Sequence, residues 1–380
     1  MYGFNSFYFH FLLIYLFYTF IVHKAFLTYG KYNVLHKSLR LEKLLMLSLP
    51  LFLLGTLRGE TVGGDLENYI PHFDAIIRIN SVKEIWDVSL KEPGYQILDY
   101  IIGQIWPTHR GFLVVTSIIS LIGPIFIIYK YSPNYILSLF LYYSLGFYTN
   151  TFNNIRQSLA ISICLLALPA LFNKKLRSFI LLVLISVTFH YSAIFFIALY
   201  PLVNSKFNLK KIFIIIIIAT VLYFVYSISI MKTLFAIMAF KYDPNSITTH
   251  DGSKGISLLI LYAVILLGEV FLYLRYTKKK NSKQKEILEN AISFQTICCL
   301  CQMYAPLFSS MTRLTYYFYI PIIVIVPLLM KEFRRFKYLI LGFYIAISIL
   351  FVYMTYSKSS EIESNSQGVI PYAFINTIVY

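Results

Sequence analysis

Five charged or titratable side chains sit within or beside long apolar runs: Arg58, Asp65, Arg156, His190 and Arg313. Charge near membrane depth is costly, so residues that carry it there are functional candidates. Arg156 opens "IRQSLAISICLLALPALF", about one turn inside a span, and Arg313 takes the mirror position in "SSMTRLTYYFYIP". Arg58 follows the run "LLMLSLPLFLLG". A guanidinium is always charged and makes bidentate bonds to phosphate oxygens, so three at one depth suit a phosphate or diphosphate better than a neutral solute. Asp65 lies in "VGGDLENY", where Gly63 and Gly64 permit tight or left-handed backbone. Its carboxylate can bond sugar hydroxyls, accept a proton or orient an arginine. His190, in "FHYSA", can move a proton near neutral pH. Each residue also has a duller use: the arginines as interface anchors, Asp65 as a turn residue, His190 as a buried hydrogen-bonded side chain. Glu92, before Pro93 and Gly94, reads equally as a helix cap.

These residues need spans to position them. Of 380 residues, 58% are hydrophobic and 13% charged, and the apolar runs repeatedly approach the roughly 20 residues that cross a bilayer. The expected fold is therefore all-α and polytopic, with about 10–11 transmembrane helices. Candidate spans are 5–29, 42–57, 111–130, 135–150, 153–172, 211–231, 256–276, 288–308, 314–331 and 336–356, with 178–203 apart. The first apolar stretch reads as a retained anchor, since no basic segment follows Met1.

The net charge of +16 belongs to topology before nucleic acid: segments 31–43, 173–177, 204–211, 275–286 and 331–337 carry 20 of the 33 lysines and arginines. All five should be cytoplasmic. A single crossing by 178–203 would put 173–177 and 204–211 on opposite sides. A re-entrant hairpin removes the conflict, because two halves of about 12 residues each reach only about 18 Å. "HYS", residues 190–192, then falls at its tip, facing protein or a water-filled cavity. One long span is the alternative. With the hairpin, 58–110 and 232–255 lie outside, and 58–92 holds seven acids against four bases. Residues 93–107 look helical but too polar to span, and Trp86 and Trp106 flank them, as expected of an interfacial helix. No separate soluble domain is visible, so 1–380 reads as one membrane-embedded domain. Cys164, Cys298, Cys299 and Cys301 lie in apolar segments without zinc-site spacing. No Walker loop, dinucleotide fingerprint, nucleophile elbow or HExxH helix is present, which argues against an internal energy source.

In order along the chain stand "RG…GGD…Y", "EPGY", "IRQSLA", "FHYSA", "MTRLTYYF" and "IPY". This set resembles the EpsG family, the Wzy-like polymerases of exopolysaccharide, capsule and O-antigen, over nearly the whole chain. The resemblance implies a membrane glycosyltransferase that joins oligosaccharide repeat units carried on undecaprenyl diphosphate. It would work on the outer face of the bacterial inner membrane, passing a growing chain to the non-reducing hydroxyl of the next lipid-linked unit. Arg58, Arg156 and Arg313 would bind the diphosphate, and Asp65 or His190 would take the acceptor proton. Glu92, Tyr95, Gln157, Tyr316 and Tyr317 would contact glycan or lipid. No nucleotide cofactor is expected, because the donor carries its own driving force, and no metal, because no carboxylate cage stands out. Expected partners are the lipid-linked substrates, the bilayer and a chain-length regulator, with no nucleic acid.

Rival classes share much of this. A flippase or other transporter would spread polar residues through span centres, often in repeated halves, whereas these candidates gather at one face. An O-antigen ligase would use the same donor and a different acceptor. A membrane acyltransferase would need another donor. The sugar and its linkage are not written in any short motif.

Overall fold

A computed structural model describes residues 6–30, 38–79, 81–88, 92–227, 252–276, 282–307 and 310–356, and it is all-helical, with no strand among the described residues. In chain order the helices are α1 (Ser6–Gly30), α2 (Ser38–Thr56), α3 (Leu66–Ile76), α4 (Ile85–Val88), α5 (Pro93–Ile105) and α6 (His109–Tyr131). Then come α7 (Tyr135–Ser144), α8 (Phe147–Asn153), α9 (Ile155–Phe172), α10 (Leu176–Phe189), a 3-10 turn (Tyr191–Ala198) and α11 (Leu199–Asn204). The rest are α12 (Leu209–Ser227), α13 (Gly252–Tyr276), α14 (Ser282–Met303), α15 (Ser310–Tyr319), α16 (Ile322–Glu332) and α17 (Lys337–Tyr356). The expected spans and the interfacial helix at 93–107 find their helices within a few residues. The loop 232–255, apart from the start of α13, and the "IPY" motif lie outside the described residues.

Five of the described helices are long and apolar enough to cross a membrane, or six if the broken pair α15–α16 counts as one span. The chain is a polytopic membrane protein. Fewer of the described helices pass that test than the ten or eleven expected, and several of the expected spans are broken in the structure. The run 135–150 divides into α7 and α8, 314–331 into α15 and α16, and 178–203 into α10, the 3-10 turn and α11.

The expected hairpin has a clear counterpart. The Tyr200 hydroxyl donates to the Lys174 carbonyl at 2.9 Å, and Asn204 Nδ2 to the Leu171 carbonyl at 3.1 Å. The segment that departs at 174 is thus back beside its origin by 200–204, with His190 at the break between its two limbs. Fourteen residues of α10 rise about 21 Å. The reach from Phe172 up α9 to Arg156 is similar, about 24 Å.

The chain forms two compact units, one of Met1–Ala170, Lys175–Phe195 and Ile323–Tyr380, the other of Leu171–Lys174 and Phe196–Ile322. In the first, α2 packs along α1 and α6, α17 packs on α7, and α3 and α5 pack on each other and on α6. The window of α9 is 72% buried against 17% for α1, so α9 is an interior helix and α1 a peripheral one. Leu66, Tyr69 and Phe73 of α3, Tyr95 and Ile102 of α5, Phe112 of α6 and Ile155 and Leu159 of α9 form one apolar platform. In the second unit α13 and α15 pack along α14, joined by α11 and α12.

Helix α5 begins at Pro93, whose fixed φ suits the first helical position. Besides the buried Tyr95 and Ile102 it has an outward apolar stripe, Ile97, Ile101 and Ile105 being 40%, 48% and 79% exposed, while Gln96 and Asp99 are buried. Such inversion fits a helix lying against lipid. A Cβ at Gly94 would collide with Thr188, so glycine is what lets α10 approach the first turn of α5.

Candidate active site

Arg156 stands on the first turn of α9, just after the chain breaks at Asn154. Its Nη1 donates to Glu92 Oε2 at 2.5 Å. The other oxygen of the same carboxylate, Oε1, meets His190 Nδ1 at 2.9 Å. One carboxylate therefore ties the head of a buried span to the break in the hairpin. Its side chain is 5% exposed, against 26% for Arg156 and 29% for His190, so the acid is the most enclosed of the three.

Burial alone would raise the Glu92 carboxyl, but the His190 hydrogen bond, the backbone amide and the Arg156 charge together lower it to about 2. Glu92 is thus a carboxylate at neutral pH and only accepts. His190 must donate from Nδ1, and in the neutral ring this leaves Nε2 as an acceptor. A carboxylate that fixes the tautomer of a histidine in this way prepares it as a general base.

A stack of aromatic rings supports the cluster. The Arg156 guanidinium lies 5.7 Å from the ring centre of Tyr69 and 5.9 Å from that of Tyr95, within cation–π range. Tyr95 in turn stacks on His72, with ring centres 5.8 Å apart and planes at 19°. His72 Nε2 is 3.8 Å from Asp99 Oδ2, and both side chains are buried. Burial, and then the neighbouring Asp99, push the Tyr95 phenol well above its ordinary range, so it keeps its proton and can donate to Asp99.

Arg58 is placed differently. It is 1% exposed. Its Nη1 donates to the carbonyls of Phe152, at 2.9 Å, and Val62, at 3.2 Å, and the guanidinium lies 4.6 Å from the centre of the Phe152 ring. Gly63 adopts φ +127°, where a side chain would be strained, and a Cβ there would run into the Phe152 carbonyl. The Asp65 amide donates to Asn153 Oδ1 at 2.7 Å. Arg58, Gly63 and Asp65 thus all grip the end of α8, three or four residues before Arg156.

Of the residues singled out in the sequence, Arg156, His190, Glu92 and Tyr95 come together. Gln157 is buried beside them on α9. Asp65 is half-buried at the head of α3, one turn before Tyr69. Arg58 forms part of the packing beneath the loop. Arg313, Tyr316 and Tyr317 lie on α15 in the second unit, where Arg313 is exposed, Tyr316 half-buried and Tyr317 buried. Sequence reasoning passed over Tyr69, His72 and Asp99. Their signal was spacing: Tyr69 and His72 at i, i+3 and Tyr95 and Asp99 at i, i+4 put each pair on one helix face. Among the described residues no three His, Cys, Asp or Glu side chains converge as a metal-binding group.

A sequence model described as EpsG family matches residues 43–374, nearly the whole chain. No curated protein and no solved structure matches it.

Proposed function

The chain belongs to the EpsG family, which makes it a polysaccharide-polymerase-like membrane protein, and from that premise we propose a specific reaction at the Arg156 cluster. The donor is an oligosaccharide on undecaprenyl diphosphate, and the acceptor is the non-reducing sugar hydroxyl of a second lipid-linked unit. The acceptor oxygen attacks the anomeric carbon, and the bond from that carbon to the diphosphate oxygen breaks. The electron pair leaves with the diphosphate, and the hydroxyl proton passes to His190 Nε2. Arg156 binds the departing diphosphate and offsets its charge. Glu92 touches neither substrate directly; it positions both the cation and the base.

The observation that carries this reading is the shared carboxylate, which holds an arginine on one oxygen and a histidine on the other. The basic segments, read as cytoplasmic, support a reaction on the outer face of the inner membrane. Polymerisation is favoured over flipping because the charged groups gather at one depth.

Complementation of a deletion strain tests it. Wild type should restore the ladder of surface polysaccharide. Arg156→Ala and His190→Ala, present in the membrane at normal amounts, should leave single repeat units at the surface and no ladder. Full-length polymer from both variants would refute the site. Repeat units trapped on the cytoplasmic face would point to a flippase instead.

A further inference from the structure

The second unit holds a cavity of about 540 Å³ that has no part in the reaction above. Small-molecule sites commonly measure roughly 300–1,000 Å³. Lys174, Lys206 and Lys285 line it, one from each of three basic segments, 173–177, 204–211 and 275–286. The preference for basic loops on the cytoplasmic side explains why these segments share a membrane face. It does not explain why they surround one hollow.

The walls are built. Lys174 adopts φ 55°, unusual for a residue with a side chain, and its carbonyl is held by the Tyr200 hydroxyl at 2.9 Å. Asn204, in the opposite wall, ties that turn to α11 through the Leu171 carbonyl at 3.1 Å. Neither the Lys174 nor the Lys206 ammonium has a partner among the described residues, and each has three donors to give. Lys285 is engaged by Glu289 at 3.8 Å, and Glu289 also accepts from the Tyr273 hydroxyl at 3.2 Å. Glu286 and Asn290 complete the same wall. Unpaired ammonium groups call for an anion, while a carboxylate and an amide beside them call for hydroxyls. A bare anion would be repelled by Glu286; a phosphate ester carrying hydroxyl groups satisfies both.

We infer that this cavity binds a hydroxyl-bearing phosphate ester, with Lys174 and Lys206 on the phosphate oxygens and Glu286 and Asn290 on the hydroxyls. Such a group can come from the polar head of a phospholipid or from a soluble phosphate ester. Basic pockets between membrane helices on the cytoplasmic side are suited to the former. This inference does not rest on the polymerase reading.

The full-length protein purified in detergent is titrated with phosphatidylglycerol and, separately, with phosphatidylcholine, and bound lipid is counted by native mass spectrometry. A parallel titration uses glycerol 3-phosphate in solution, followed by thermal unfolding. The expected result is one saturable phosphatidylglycerol preferred over phosphatidylcholine, weakened on the order of tenfold by Lys206→Gln and further by Lys174→Gln with Lys206→Gln. Lys210→Gln with Lys211→Gln, next along the chain but outside the cavity, should change little. Saturable stabilisation by glycerol 3-phosphate, lost in the Lys206→Gln protein, would assign the site to a soluble ester. Lys206 lies in coil, and its variant must elute as a single species to be scored. Absence of saturable binding of either probe, or equal weakening by the Lys210/Lys211 control, would overturn the inference.

Discussion

Arg58 and Arg156 are the same side chain put to opposite uses within one compact unit. Around Arg58 the protein is closed: the guanidinium spends donors on the carbonyls of Val62 and Phe152 and covers one ring. Around Arg156 it is open on one side, and the anchoring partner is a carboxylate that also holds a histidine. Neutral carbonyls fix backbone to backbone and leave nothing presented outward. A buried carboxylate neutralises and aims a cation, and at Arg156 the Tyr69 hydroxyl shares in holding it. What separates the two arginines is the partner each one holds and how far each is exposed.

The sharpest way to break that contrast is Arg156→Lys. The charge survives but the planar fork does not, so polymer formation should drop by about 10²–10³-fold at unchanged membrane content. Near-normal polymer would reduce Arg156 to a simple point charge. Glu92→Gln should cost less, about 10–10²-fold, because it loosens Arg156 and His190 without removing either.

The same acid supplies a pH test. Its carboxyl sits at about 2 instead of its ordinary 4.5, a depressed value, so its contribution to stability is complete above about 4.5 and is lost as pH falls through about 2. Thermal midpoints of wild type and Glu92→Gln in detergent should therefore differ by a constant amount above pH 4.5 and converge below it. A gap that closes near neutral pH would mean the ion pair is not what Glu92 contributes.

On the other side of the comparison, Arg58→Ala should act through stability. Two carbonyls lose their donor and a buried volume empties, at about 2–4 kcal/mol. Membrane content should fall while polymer made per molecule stays within a few-fold of wild type. If instead activity per molecule collapses with content intact, Arg58 belongs to the chemistry. The smallest effect is expected from Gly63→Ala, about 1–3 kcal/mol for side-chain strain at φ +127° and the clash with Phe152, read as a lower unfolding midpoint.

Hydropathy and basic segments made most of this architecture legible, including the hairpin, whose two basic ends demanded a common face. Arg156, His190 and Glu92 were each visible as candidates. Their union was not, because Glu92 lies 64 residues from Arg156 and 98 from His190, and no local periodicity reports contacts at that separation. For the same reason Arg58 and Arg156 looked alike: each marks the end of an apolar run, and the run says nothing of what lies across from it. His72 and Asp99 escaped because a polar residue on a short, mostly apolar helix reads as the solvent side until that helix is known to lie against lipid.

The inverted helix α5 bears on how the protein is made. Packing α5 down buries Tyr95 and Ile102 but also Gln96 and Asp99, and it leaves Ile97, Ile101 and Ile105 outside. Lipid suits the exposed isoleucines. During synthesis α5 emerges before α9 and α10 exist, yet the carboxylate at its head needs a side chain from the start of α9 and another from the break after α10. The cluster is therefore complete only once the break after α10 has been made, and a nascent chain stalled before residue 190 lacks its histidine.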